Sequence, residues 1–116
     1  MADIQDLVAR HLEAWNSPPG DDRTSQIASV YSEDVFVGEP EAAYTGHGGV
    51  EQAISGLQGA LPNMTLTLRG DIQTAQDMST YAWDLGPEGA PGVAHGRDVI
   101  VVEGDRISRL YVVIDA

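Results

Sequence analysis

The sequence predicts an α+β fold, with helices first, consecutive antiparallel strands after them, and the helices packed on one face of a curled sheet. Three observations lead there. Apolar residues recur at steps of three and four through the first half of the chain. From Met64 onward the period changes to two. No repeat, low-complexity tract or shift in composition divides the 116 residues, so one domain spanning 1–116 is expected.

Ile4, Leu7, Val8, His11, Ala14 and Trp15 form one stripe of an amphipathic helix, which the breaker cluster Pro18-Pro19-Gly20 stops. Asp21 or Asp22 is placed to cap a second helix, whose apolar stripe is Ile27, Val30 and Tyr31. A third helix is predicted from about His47 to Ala60, with Val50, Ile54, Leu57 and Leu61 along one side. Its glycines (Gly48, Gly49, Gly56, Gly59) lower its intrinsic propensity, so it must depend on packing. Met64, Leu66, Leu68 and Ile72 then alternate with Thr65, Thr67 and Arg69, and Tyr81, Trp83 and Leu85 alternate with Ala82 and Asp84.

A glycine- and proline-rich connection from Gly86 to Gly92 leads into a closing hairpin, Ala94–Val102 and Arg106–Ile114, joined at Glu103-Gly104-Asp105. On the last strand Leu110, Val112 and Ile114 form one face, while Ile107, Tyr111 and Val113 make the other apolar too. A strand apolar on both faces is covered on both. The helices cover one, and a second copy is the simplest cover for the other, so a homodimer is expected.

Composition excludes several classes of function. With 18 acidic and 6 basic residues the net charge is -12, which repels phosphate backbones and anionic membranes, so neither nucleic acid nor membrane is expected as a partner. All six basic residues are arginine, which removes lysine Schiff-base chemistry. Without cysteine there are no disulfides, thiolate metal sites or thiol catalysis. His11, His47 and His95 are scattered without metal-ligand spacing, and no phosphate-binding or dinucleotide fingerprint occurs, so neither metal nor other cofactor is expected. The start Met1-Ala2-Asp3-Ile4 lacks the basic and apolar regions of a secretory signal, which makes the cytoplasm the expected location.

One acid stands out. Asp98 shares its strand face with Ile100 and Val102, and a carboxylate on an apolar face is at a sheet edge, paired, or lining a cavity. His11 sits on the buried stripe of the first helix, as a core histidine satisfied by a hydrogen bond or as part of a site. Tyr81 and Trp83 share one sheet face, forming either a flat wall for a polycyclic ligand or ordinary packing, and Trp15 is open to the same two readings. Glu39 follows a short strand and precedes Pro40, the setting of a solvated loop acid. His47 is expected to be exposed, and His95 to face solvent or a dimer contact.

The order and spacing of several motifs resemble the nuclear transport factor 2-like superfamily over nearly the whole chain. They are Trp15-Asn16 before a short Pro/Gly/Asp loop, a helix ending Val30-Tyr31-Ser32-Glu33-Asp34, and then Val35-Phe36-Val37. Tyr44-Thr45-Gly46 before an amphipathic helix and the closing turn Glu103-Gly104-Asp105-Arg106-Ile107 complete the set. The resemblance implies a cone-shaped α+β roll, three N-terminal helices on a strongly curved, mostly antiparallel sheet with a central pocket. Members include SnoaL-like polyketide cyclases, ketosteroid isomerases, limonene-epoxide hydrolases and non-catalytic binding domains, so the fold leaves function open.

Against the ketosteroid isomerase pattern, Glu39 in Val37-Gly38-Glu39-Pro40 falls at the base position and Asp98 at the oxyanion acid. His11 matches, by spacing, a tyrosine of the first helix. Glutamate replaces the pattern's aspartate and histidine its tyrosine, which points to proton transfer in general rather than steroid isomerisation. The resemblance therefore implies a hydrophobic, polycyclic carbonyl ligand, with Glu39, Asp98 and His11 catalytic and Trp15, Tyr81, Trp83 and Ile100 in contact with it. The alternative is a non-catalytic ligand-binding or dimeric assembly domain. Asp98 is then either protonated and donating, or ionised and paired with His11.

Overall fold

The computed structural model describes residues 3–90 and 92–115, so Met1 and Ala2 of the amino-terminal segment and Pro91 of the long connection lie outside the described residues. The first helix, α1 (Ile4–Asn16), begins where the Asp3 carboxylate accepts a hydrogen bond from the Gln5 amide at 2.9 Å. It buries Leu7, Val8, His11, Ala14 and Trp15 of the expected stripe and also Leu12, which lies outside it, while Ile4 is half-buried. Asn16 then ties its end to the sheet, donating to the Leu66 carbonyl at 2.9 Å and accepting from the Leu66 amide at 2.8 Å.

The second helix, α2 (Asp21–Val30), departs from expectation at both ends. Its N-cap is Gly20, in a backbone conformation (φ 146°) that suits glycine, and Asp21 and Asp22 lie in the first turn, where the helix dipole favours acids. It stops at Val30, and Tyr31 is both its C-cap and the first residue of β1 (Tyr31–Gly38). Helix passes into strand without a loop, and that change of direction carries Tyr31 off the helical stripe into the core. A three-residue strand, β2 (Ala43–Thr45), too short to show periodicity, precedes α3 (Gly46–Ala60). Among the glycines of α3, Gly49 has a packing reason, since a Cβ there would stand 2.9 Å from the Tyr44 Cβ.

The remaining strands are β3 (Thr65–Ala75), β4 (Met78–Gly86), β5 (Ala94–Glu103) and β6 (Arg106–Ile114). The six strands form one open sheet in the order β2-β1-β6-β5-β4-β3. Only the β1–β6 pair is parallel, and the others are antiparallel. Register shifts interrupt three pairs: β1–β6 between Tyr31 and Phe36, β3–β4 between Arg69 and Gln73, and β5–β6 between Val101 and Val102. Such bulges bend and twist strands, which curves the sheet around the helices.

The bulge on β6 also corrects the reading of its two faces. Val101 pairs with Arg109 and Val102 with Ile107, so Ser108 is an extra residue and the alternation reverses across it. Ile107 consequently joins Leu110 in the core instead of the outer face. No helix among the described residues is long and apolar enough to cross a membrane.

Candidate functional site

Three adjacent strands aim side chains at one point on the concave face. Asp98 on β5 pairs in register with Tyr81 on β4 and Val112 on β6, while Trp83 on β4 pairs with Gly96. Gly96 is what lets Trp83 lie down. A Cβ there would come within 2.2 Å of the indole ring and 2.4 Å of the Val113 carbonyl oxygen. With that space free, the indole reaches diagonally along β5, and its Nε1–H donates to Asp98 Oδ1 at 3.0 Å. The Tyr81 hydroxyl donates to Asp98 Oδ2 at 2.8 Å.

From the helical side, His11 on α1 brings Nε2 to 3.1 Å from Asp98 Oδ2. Asp98, 4% exposed, therefore accepts from Tyr81 and Trp83 and is paired with His11. The contact brings Asp98 and His11 together, as one of the two alternatives left open by the sequence requires, with Tyr81 and Trp83 donating to the same carboxyl group. A buried carboxylate needs such partners, because leaving one polar group unsatisfied costs about 1–3 kcal/mol.

The network extends one residue further. The other ring nitrogen of His11, Nδ1, makes a short hydrogen bond with the Tyr31 hydroxyl, which also accepts from Trp15 Nε1–H at 3.0 Å. Burial pushes the Tyr31 phenol well above its ordinary range, and the charge of Asp98 adds to this against the opposing effect of the Trp15 hydrogen bond. Burial does the same to Tyr81, helped by the charge of Asp98 and the hydrogen bond to it. Both phenols are thus donors. Hydroxyl, imidazole and carboxylate in line have the connectivity of a nucleophilic triad. Tyr31, though, is fully buried, holds its proton tightly and does not face the cavity, so it is no nucleophile.

Beside this network lies a cavity of about 30 Å³, lined by His11, Trp15, Leu57, Leu66, Trp83, Asp98, Leu110 and Val112. Four of the residues singled out from the sequence (His11, Trp15, Trp83 and Asp98) line it. Tyr81 contacts Asp98 from within the core, and Ile100 is fully buried core beneath them; neither lines the cavity. The volume admits about one water molecule and lies far below the roughly 300–1,000 Å³ of sites for drug-sized ligands.

Glu39 does not line the cavity either. It follows β1 on the parity of the buried Val35 and Val37, and its amide donates to the Ala42 carbonyl at 2.8 Å. Because β1 runs parallel to β6 with Gly38 beside Tyr111, Glu39 stands level with Val112, one strand beyond β6 from Asp98. Two strand spacings separate the two acids, about 10 Å between backbones. Partial burial raises the Glu39 pKa above the ordinary glutamate value.

Two histidines lie elsewhere. His47, expected to be exposed, is half-buried with Nε2 at 2.9 Å from the Tyr31 carbonyl oxygen, because α3 starts against the α2–β1 junction. His95 pairs with Asp84 at 2.6 Å. Among the described residues no group of three His, Asp or Glu side chains is placed to hold a metal ion. The residue that sequence reading missed is Tyr31. Its sequence signals, a place on an apolar stripe and in the motif Val30-Tyr31-Ser32-Glu33-Asp34, assigned it no role in a site, and any core tyrosine would share the first.

No sequence profile of a protein family matches the chain, and no curated protein matches it. Solved structures do resemble it. A candidate isomerase of the SnoaL-like family from Agrobacterium tumefaciens superimposes with a TM-score of 0.88 over 97% of each chain at 20% identity. A candidate polyketide cyclase from Sinorhizobium meliloti gives 0.74 over 92% of this chain and 93% of that one, at 15% identity. A de novo designed protein with a curved β-sheet gives 0.73 over 97% of this chain and 84% of the design, at 14% identity.

Proposed function

Starting from a chain with the nuclear transport factor 2-like fold, we propose that it performs cofactor-independent proton transfer on a small hydrophobic carbonyl compound, in the manner of an isomerase or cyclase. One observation carries this reading. Asp98 is a buried carboxylate on the wall of an apolar cavity, and three donors occupy part of the roughly four acceptor positions a carboxylate offers.

In this reading Asp98 takes a proton from the carbon next to the substrate carbonyl, and the C–H electron pair moves into an enolate. His11, Tyr81 and Trp83 hold the carboxylate in place throughout, which spares reorganisation during the step. Glu39, two strand spacings from Asp98, keeps a larger protonated share than a free glutamate and supplies a proton to the developing oxyanion. The roles expected of the two acids are thus exchanged. Because the cavity is so small, entry requires lining side chains to move, which favours a compound of one ring over a polycyclic one.

The test is deuterium incorporation. Small cyclic ketones and enones are incubated with the protein in D₂O and followed by mass spectrometry. Asp98→Asn is expected to slow exchange by ~100-fold or more, the usual contribution of a positioned acid or base, and Glu39→Gln by about tenfold. Unchanged exchange in Asp98→Asn overturns the proposal.

A second reading, a non-catalytic binding or assembly domain, is favoured by the small cavity and by the mutual pairing of its polar groups. It predicts no exchange above background by the native protein, together with a lower melting temperature for Asp98→Asn.

A further inference from the structure

We infer that Tyr31, itself oriented by Trp15, is a positioning residue that fixes His11 as the neutral imidazole with its proton on Nε2. The inference follows from counting protons around the Tyr31 hydroxyl, which belongs to a fully buried side chain that does not line the cavity. Trp15 Nε1 can only donate, so one acceptor position of the Tyr31 oxygen is taken by the indole. The phenol keeps its own proton and must place it somewhere. The only acceptor the structure offers it among the described residues is His11 Nδ1. Nδ1 is then the acceptor nitrogen, Nε2 carries the hydrogen, and that hydrogen points at Asp98 Oδ2.

The other two states of the ring each break this chain. A proton on Nδ1 alone would set the bare Nε2 lone pair against a carboxylate oxygen and leave the Tyr31 hydroxyl proton unpaired. An imidazolium would satisfy Asp98 but again strand the Tyr31 proton, in a residue that is 0% exposed. In the remaining state every donor has one acceptor: Trp15 to Tyr31, Tyr31 to His11, His11 to Asp98, with Tyr81 and Trp83 arriving at Asp98 from the strand side.

The groups that face His11 are Trp15 on its own helix, Tyr31 at the α2–β1 junction, Tyr81 on β4 and Asp98 on β5. Of these only Asp98 bears a charge. The cavity wall therefore carries one negative charge that His11 orients without cancelling. For the proton transfer proposed above, on which this consequence rests, the site takes neutral carbonyl compounds and discriminates against carboxylate-bearing ones.

Nitrogen-15 spectroscopy of the imidazole side chains near neutral pH reads the tautomer directly, with His11 assigned by comparison with His47→Gln and His95→Gln. The expected spectrum has a protonated Nε2 and a hydrogen-bonded, unprotonated Nδ1. A protonated Nδ1, as the other tautomer or as imidazolium, overturns the inference in the native protein without any variant. In Tyr31→Phe at the same pH, Nδ1 is expected to lose its hydrogen-bond shift and the ring to gain a second N–H signal. An unchanged ring spectrum there also overturns it. Trp15→Phe frees the Tyr31 hydroxyl to rotate and should produce the same change more weakly, which provides a second reading if Tyr31→Phe does not fold. Because these signals need no turnover, a normal spectrum with no deuterium exchange sinks the proposed function and leaves the tautomer standing. Exchange with a wrong tautomer does the reverse.

Discussion

Glu39 and Asp98 are two acids on one curved face whose surroundings treat them differently. Asp98 meets His11, Tyr81 and Trp83; Glu39 is partly desolvated, which disfavours its charge. For Glu39 this has a consequence for stability that is independent of catalysis. Its folded pKa lies above the 4.5 of a free glutamate, so its contribution is most favourable below pH 4.5 and is lost as pH rises through the folded value. Glu39→Gln removes an ionised, partly desolvated carboxylate. The variant is expected to melt above the native protein at pH 7 and level with it below about pH 4.5, as read by thermal denaturation across that range. A lower melting temperature at pH 7 would show that the carboxylate has a stabilising partner. At this scale the sequence identified Asp98 through its parity with Ile100 and Val102. It could not name the donors, because Tyr81, Trp83 and His11 are 17, 15 and 87 residues away along the chain.

The helices are held as a unit by Arg23, the largest fully buried side chain in the protein. Its five donors are all used. Nε and Nη2 meet the two oxygens of Glu51 on α3, Nη2 also reaches Ser55 Oγ, and Nη1 reaches the Ser17 carbonyl and Gln58 Oε1. One guanidinium thus joins the end of α1 to α2 and α3, which compensates for the weak propensity of a glycine-rich α3. The two partners of the ion pair are unequally buried: the Arg23 side chain is 0% exposed and Glu51 36%. Removing Glu51 strands a buried cation, whereas removing Arg23 releases a carboxylate that water can solvate. Glu51→Gln is therefore expected to destabilise by about 3 kcal/mol, and Arg23→Met by clearly less, in urea unfolding at pH 7. The reverse order would contradict this account. The sequence placed Arg23 on α2 without marking it, since a charged residue on a short polar helix reads as solvated surface until a neighbouring helix lies over it.

On the scale of the molecule, the outer sheet face remains the place where a second copy is proposed to pack. Phe36, Val99, Val101 and Tyr111 are half-buried there, Val113 is 51% exposed, and the Arg109 guanidinium lies 5.6 Å over the Phe36 ring. The loss of Ile107 to the core makes this face less apolar than the alternation suggested, so the dimer is expected to be modest in strength. Sedimentation equilibrium at micromolar concentration should find a dimer, and Tyr111→Asp together with Val113→Asp should give a monomer. A monomeric native protein removes the proposal.

What the sequence determined by itself was the fold class, the order and nearly all of the elements, and the apolar strand face that Asp98 shares with Ile100. Periodicity is local, and each helix or strand writes its own burial into neighbouring residues. Three things were decided only by the tertiary structure: the reversal of β6 at Ser108, the turning of Tyr31 out of the helical stripe, and the closure of the cavity to about 30 Å³. Each depends on how elements far apart in sequence fit together. A bulge is one residue too many relative to a partner strand, a buried hydroxyl finds its acceptor on another helix, and a cavity is whatever volume the packed layers leave unfilled.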